Sequence, residues 1–321
     1  MPKISVIIPV YNGKETIKET ITSVLNQTFS DIEILVINDG STDGTLEVVD
    51  SIQDPRLNVF SYANAGLAAS RNRGFALARG DYVSFMDADD LWTPDKLEAQ
   101  FKALQATPQA AVAYSWTDYI DEFGHFLYPG SHVTETGDIL AKLLLNNVLE
   151  NGSNALIRKQ ALQEVGGFDE SLTAAEDWDM WLRLASRYHF VAVPSAQILY
   201  RQPVHSMSAN ISRQETECLK VIERHFHQAP ESLQHLKRFS IANLYTYLLF
   251  KVLASPLERQ KSLIAARCFW QAVRHDPTLL RRRSRLMLIV LFKIAAPLIL
   301  PPTQAQTWHS RLKNLSKKKM T

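Results

Sequence analysis

Two short stretches of the chain concentrate carboxylates, Met86-Asp87-Ala88-Asp89-Asp90 and Ala175-Glu176-Asp177-Trp178-Asp179. Acids this close repel one another, so the first cluster costs stability unless something positive sits on it. It follows the apolar run Tyr82-Val83-Ser84-Phe85, which reads as a buried strand, and hard oxygen ligands at a strand end suit Mg²⁺ or Mn²⁺. A solvated acidic turn is the other reading. The second cluster opens a helix whose apolar face is Trp178, Trp181, Leu182 and Ala185. Carboxylates at a helix start are favoured by the exposed N–H groups and the macrodipole, so Glu176, Asp177 and Asp179 read as capping charge. The same field keeps an aspartate ionised, which is what a general base needs.

The elements that must carry these acids alternate through the first hundred residues. Residues 4–10 form an apolar strand, and Ile17, Ile21, Val24 and Leu25 recur at helical spacing. Residues 32–37 are apolar again and end in Asn38-Asp39-Gly40-Ser41. A helix from Thr45, a strand at 57–60, a helix over 68–78 and the strand 81–86 follow. Strands separated by helices imply an α/β fold with a mostly parallel sheet covered on both faces. Ligands gather beyond the carboxyl ends of such strands. Pro9-Val10-Tyr11-Asn12, Asn38-Asp39 and the first acidic cluster all lie at those ends, so they are expected to converge on one crevice. Neither a G-x-G-x-x-G nor a G-x-x-x-x-G-K-[ST] motif is present, which leaves a divalent ion as the means of holding phosphates.

Further on, residues 94–105 read as an amphipathic scaffold helix with Thr93 as N-cap and Pro94 at its first position. Residues 111–116 form a strand, and 119–132 read as an irregular aromatic stretch of the kind that supplies acceptor contacts. Beyond Ser212 the pattern turns helical, over 217–227, 233–253 and 257–275. His225 and His227 read as ordinary exposed residues. Cys218 and Cys268 are too few and too isolated for a disulfide framework or zinc site.

Four segments in order carry a family resemblance: residues 4–12, Ile37-Asn38-Asp39-Gly40-Ser41-Thr42-Asp43-Gly44-Thr45, Ala69-Ser70-Arg71-Asn72-Arg73-Gly74, and Phe85-Met86-Asp87-Ala88-Asp89-Asp90. Together they resemble the signatures of inverting family-2 glycosyltransferases with the GT-A fold, over residues 4 to about 210. The resemblance implies that Pro9, Tyr11, Asn12 and Asp39 hold the base and ribose of a nucleotide-sugar, a UDP-sugar first of all. It places Arg71 and Arg73 near the diphosphate and makes Asp87 and Asp89 a D-x-D motif. Asp89 is then the firmer metal ligand, while Asp87 reaches the ribose or the metal. It also implies Asp177 as the base that deprotonates the acceptor, with Glu176 and Asp179 as lesser candidates. Trp178, Arg183 and Asp90 become secondary candidates near acceptor or diphosphate, Asp90 alternatively bracing the Leu91-Trp92 turn. His205 is a candidate for metal or phosphate.

Charge is uneven: residues 279–321 hold ten basic groups and no acid, although the whole chain is only +2. The run 286–300 is apolar but broken by Lys293 and Pro297, and a membrane span needs about 20 apolar residues. A helix lying in the headgroup plane of an anionic membrane fits better than a span, with a core helix followed by a basic tail as the alternative. Nucleic acid is disfavoured, since no binding motif or aromatic interleaving accompanies the charge. The opening residues lack the pattern of a signal peptide, so a cytoplasmic enzyme, peripheral on the inner face of the membrane, is expected. The expected organisation is a catalytic domain over 1–212, a helical extension over 213–278 and a basic amphipathic tail over 279–321. The expected activity moves a sugar onto a hydroxyl of a lipid-linked or polysaccharide acceptor with Mn²⁺ or Mg²⁺. A nucleotidyltransferase and a non-catalytic nucleotide-sugar-binding scaffold are the alternatives.

Overall fold

The computed structural model describes residues 1–202, 210–254 and 258–299. They form two compact units, one holding the chain to residue 202 apart from 144–146, the other holding 144–146 with the residues from 210 onward.

In the first unit, β1 (Ile4–Val10), α1 (Ile17–Leu25), β2 (Ile32–Asn38), α2 (Thr45–Asp50), β3 (Leu57–Ser61), α3 (Leu67–Leu77) and β4 (Tyr82–Phe85) alternate as their patterns require. β3, β2, β1 and β4 lie side by side, all parallel. Every residue of β1 and β2 is buried, because helices cover both faces, and each fully buried Ile, Val or Leu contributes about 1.5–3 kcal/mol. α1 turns Ile17, Thr20, Ile21 and Val24 inward at the i, i+3, i+4, i+7 positions of an amphipathic helix. α3 packs close on β1 because it carries Gly74 there; a Cβ at that position would sit 2.3 Å from Ile7 Cγ2.

The rest of the sheet is mixed. β5 (Leu91–Trp92), α4 (Lys96–Ala106), β6 (Ala110–Ile120), β7 (Phe126–Pro129), α5 (Leu140–Leu145), β8 (Leu156–Arg158), α6 (Lys159–Val165), α7 (Glu176–Ala185) and β9 (His189–Arg201) complete the order. β8 pairs antiparallel with both β4 and β6, so β6 runs in the same sense as β4, and β9 is parallel to β6. The carboxyl ends of β1, β2, β4, β6 and β9 therefore share one edge.

Three details differ from the sequence reading. α4 starts at Lys96 rather than Pro94, because the Thr93 hydroxyl donates to the Asp95 carboxylate (2.7 Å) instead of capping the helix. The stretch 119–132 is not irregular throughout: β6 runs on to Ile120 and pairs with β7 as a hairpin. In the second unit His225 is buried, 6% exposed, on the inner face of α8 (Ile211–Gln228) beside Ile222 and Phe226.

The second unit is helical: α8, then α9 (Lys237–Ala254), α10 (Arg259–His275), α11 (Leu279–Arg282) and α12 (Ser284–Ile299). The Asn210 side chain caps α8 by accepting from Arg213 N, and Arg267 ties α10 to Glu215 of α8. Cys218 and Cys268 are buried free thiols. Among the described residues no helix is long and apolar enough to cross a membrane.

Candidate active site

The acidic turn after β4 is pinned from both sides. Thr16, just before α1, and Thr20 of α1 donate hydroxyls to the Ala88 carbonyl at 2.8 and 3.0 Å, and Thr20 also reaches the Asp90 carbonyl. From β9, Arg201 donates its Nε to the Asp89 carbonyl (2.7 Å) and its backbone N–H to the Asp90 carboxylate (3.0 Å). Ser153 accepts from the Asp87 N–H and donates to Asp90. Asp90 is fully buried within these contacts, which also hold the start of β5, so it braces the turn and does not face an acceptor. Burial pushes its pKa well up, with Asp89 and Asp87 adding to the shift.

Asp87 and Asp89 remain partly exposed. Burial, then the charge of Asp87, pushes Asp89 up to about 6. Among the described residues no group of three acids, histidines or cysteines could hold a metal by itself. The donor chemistry nonetheless fits a divalent cation: two hard carboxylates share a site where ionisation of one is penalised by the other, and a diphosphate can complete the ligand set.

Arg71 joins the two acid clusters. It is 1% exposed, and one end of its guanidinium donates to Asp87 (2.6 Å) while the other donates to Glu176 (2.8 Å). Burial alone would lower its pKa, but the charges of Asp87, Glu176 and Asp177 prevail and raise it. Space for the guanidinium exists only because residue 152 is glycine, where a Cβ would lie 2.3 Å from Arg71 Nη2. Arg71 thus bridges the site internally and is covered from solvent.

Asp177 stands beside that bridge, on the first turn of α7. Its carboxylate accepts from its neighbour Trp178 N (2.7 Å) and from the Asn147 side chain (2.9 Å). Burial, then the Glu176 charge, pushes it up to about 7, outweighing the helix field that was expected to keep it firmly ionised. A carboxylate with that pKa is suited to accept a proton near neutral pH. Asp179 is fully buried and pairs with Arg183, which also donates to the Val165 carbonyl, so Arg183 is held by its own helix and α6. Trp178 is 6% exposed and donates Nε1 to the Leu143 carbonyl, a core role rather than an acceptor contact.

At the ends of β1 and β2, Asp39 is buried and accepts from Ala65 N, Gly66 N and Arg73. Arg73 also lies over the Tyr62 ring, 4.8 Å from its centroid. Asn12, in the left-handed region at φ 52°, accepts from Thr42 N and so fixes the loop after β2. Pro9 is buried within β1, and Tyr11, just past the end of β1, is 56% exposed. Beneath the acidic turn Lys96 is wholly buried, donating to Ser84 (2.8 Å) over the Trp92 ring, and burial holds its pKa well below the usual lysine range. His205 lies outside the described residues.

Sequence reasoning missed Asn147, Ser153, Arg201 and Gly152 as positioning groups. Gly152 and Ser153 stand in the small, polar run Asn151-Gly152-Ser153-Asn154, which reads as a turn, whereas Asn147 has no local signal.

The α/β sheet carries Asp39, Asp87 and Asp89 at one carboxyl edge, and Arg71 links Asp87 to Glu176, the neighbour of Asp177 on α7. The model of the glycosyltransferase-like family 2 matches residues 5–252. The chain belongs to that family. It is 34% identical over 227 residues to an uncharacterized glycosyltransferase of Rickettsia bellii, covering 68% of this chain and 32% of that protein. It is also 30% identical over 219 residues to the chondroitin synthase of Pasteurella multocida, covering 68% of this chain and 22% of that protein. The chain thus spans about a third or less of the length of these relatives. The crystal structure of S. aureus TarS 1-349 in complex with UDP-GlcNAc matches with a TM-score of 0.57 at 18% identity, covering 88% of this chain and 92% of that one. The Pyrobaculum calidifontis mannosyltransferase PcManGT, in complex with GDP-Man and Mn²⁺, matches at 0.55 and 20%, covering 93% and 87%. These likenesses establish the GT-A fold.

Proposed function

We propose that the chain is an inverting, metal-dependent glycosyltransferase that moves a sugar from a UDP-sugar to a hydroxyl of a carbohydrate or lipid-linked acceptor. The observation that supports this reading is the Arg71 bridge, which couples Asp87 of the D-x-D turn to Glu176, the chain neighbour of Asp177. In this reading Tyr11 and Asp39 hold the nucleoside, with Arg73 orienting Asp39. Asp89 and Asp87 hold Mn²⁺ or Mg²⁺, which when bound stabilises the charge of the leaving diphosphate. The acceptor hydroxyl attacks the anomeric carbon from the face opposite the diphosphate, its proton passes to Asp177, and the sugar–phosphate C–O bond breaks to release UDP with inversion. Asn147 holds the Asp177 carboxylate in place for that transfer. General base catalysis of this kind contributes about 10²–10⁴-fold. The test is UDP release from UDP-sugars with Mn²⁺: Asp177→Asn is expected to abolish turnover while metal-dependent UDP binding persists. Undiminished turnover removes Asp177 as base.

For location, the reading is a peripheral protein on an anionic membrane surface. α12 turns Met287, Val290 and Ile294 inward but leaves Leu288, Leu291 and Phe292 exposed, beside the arginines at 281–283 and 285. An apolar face flanked by cations suits the headgroup region. Cosedimentation of the chain with anionic but not neutral vesicles, lost in Leu288→Ser with Phe292→Ser, is expected; equal pelleting of the variant refutes it.

A further inference from the structure

The hairpin of β6 and β7 presents aromatic surface that the donor crevice does not use. Across three adjacent strands, Tyr128 of β7 opposes Tyr119 of β6, which opposes Tyr200 of β9. The Tyr119 and Tyr128 rings stack at 4.8 Å and 27°, and Tyr200 meets Tyr119 edge-on at 5.6 Å and 77°. The Tyr128 hydroxyl donates to Gln202 (2.7 Å), which fixes its ring while leaving the residue 45% exposed. Tyr119 and Tyr200 are half-buried, and Phe123 and Phe126 of the same hairpin are 75% and 60% exposed. A contiguous exposed aromatic surface of this kind marks a binding site more often than chance scatter does.

Its place in the fold narrows the ligand. Tyr119 and Tyr200 lie at the carboxyl ends of β6 and β9, the edge that also carries Asp87, Asp89 and Asp39. Arg201, next to Tyr200, binds the Asp89 carbonyl and, through Nη1, the Glu122 carbonyl in the hairpin turn (2.7 Å), so one side chain ties the aromatic hairpin to the acidic turn. The rim at the hairpin turn is polar and acidic, with Asp121, paired with His125, and Glu122. That rim disfavours nucleic acid, an anionic lipid surface and a polyanionic glycan. A neutral pyranose fits: one face of the ring is C–H and apolar, its edge is hydroxyl, and an aromatic platform rimmed by hydrogen-bonding groups complements both.

We propose that the Tyr119–Tyr128–Tyr200 row is a platform on which a neutral saccharide acceptor stacks. The proposal rests on the glycosyltransfer reading for the word acceptor, but saccharide binding itself can be measured without donor or turnover. Saturation-transfer NMR on the full chain would use cellohexaose, maltohexaose and chitohexaose as neutral probes and a hyaluronan hexasaccharide as the anionic one. At least one neutral probe is expected to receive saturation and the anionic one much less. Tyr128→Ala is expected to cut the signal at least fivefold and Tyr128→Phe to retain most of it, with UDP-sugar affinity unchanged in both. The proposal is overturned if no neutral probe binds or if Tyr128→Ala binds as well as the original chain. It is also overturned if sedimentation shows a dimer that Tyr128→Ala dissociates, since the hairpin is then a self-contact. Failure of Asp177→Asn to impair UDP release would remove the transfer mechanism and leave this result standing.

Discussion

The two acid clusters, one on a strand-end turn and one on a helix start, divide their labour in the same way. In each, one acid is fully buried and structural: Asp90 under Ser153 and Arg201, Asp179 under Arg183. In each, one binds Arg71, namely Asp87 and Glu176. In each, the third is left with a raised pKa, Asp89 at about 6 and Asp177 at about 7. The difference lies in what the third acid's oxygens meet. Asp177 is gripped by Trp178 N and Asn147, which aim one carboxylate toward a single proton. Among the described residues no side chain donates to the Asp89 carboxylate, although its backbone carbonyl is held by Arg201, so its lone pairs stay available to a cation. In the proposed mechanism, identical residue types thus acquire the role of ligand or of base from the donors around them.

Removing the shared arginine breaks both halves at once. Arg71→Met is expected to destabilise the protein by about 3–5 kcal/mol, the usual result of leaving buried carboxylates without their partner. Thermal unfolding measures it, and a loss under about 1 kcal/mol would show that the bridge does not couple the clusters. Gly152→Ala tests the same coupling more gently. The new methyl must displace Arg71 Nη2, which is not free to swing because both ends are paired, so about 1–3 kcal/mol of destabilisation is expected, as for overpacking elsewhere. UDP release should fall with it. Unaltered stability and activity would mean that the guanidinium has room to shift.

The pH dependence separates the third acids. Asp177 accepts a proton only when ionised, so turnover at saturating metal and donor should rise with pH through about 7 and then level off. Asp177→Asn should lose that limb along with most activity. A limb that survives in the variant belongs to another group.

Much of this was legible because it is local. The all-apolar runs of β1 and β2, the helical spacing of α1, and acids placed directly after β4 and at the start of α7 depend on neighbours within a few residues. What could not be read depends on contacts across the chain. Arg201 grips Asp89 from 112 positions away, Asn147 reaches Asp177 from 30, and Ser153 reaches Asp87 from 66. Arg71 was expected near the diphosphate, and nothing local says that it would be buried between two carboxylates instead. The β6–β7 hairpin escaped for a related reason: Phe126, Leu127, Tyr128 and Pro129 are all exposed, so the strand lacks the buried alternation by which strands are recognised.

The smallest expected effect is the most discriminating, because it asks whether Asp177 is strained for function. Its pKa is raised in the folded protein, from 3.8 to about 7, so folding favours the protonated form and penalises the ionised one. Below pH 3.8 the group is protonated in both states and contributes nothing. As pH rises from there toward 7 the folded state loses stability, and above 7 the full penalty persists. Asp177→Asn removes the charge but leaves an amide able to meet Asn147. The variant should therefore unfold at a higher temperature than the original chain, by about 2–8 °C for a gain of about 1–2 kcal/mol, at pH 8, and by much less at pH 4. A carboxylate that merely caps α7 would give the opposite sign, since losing it would forfeit its interaction with the helix N-terminus.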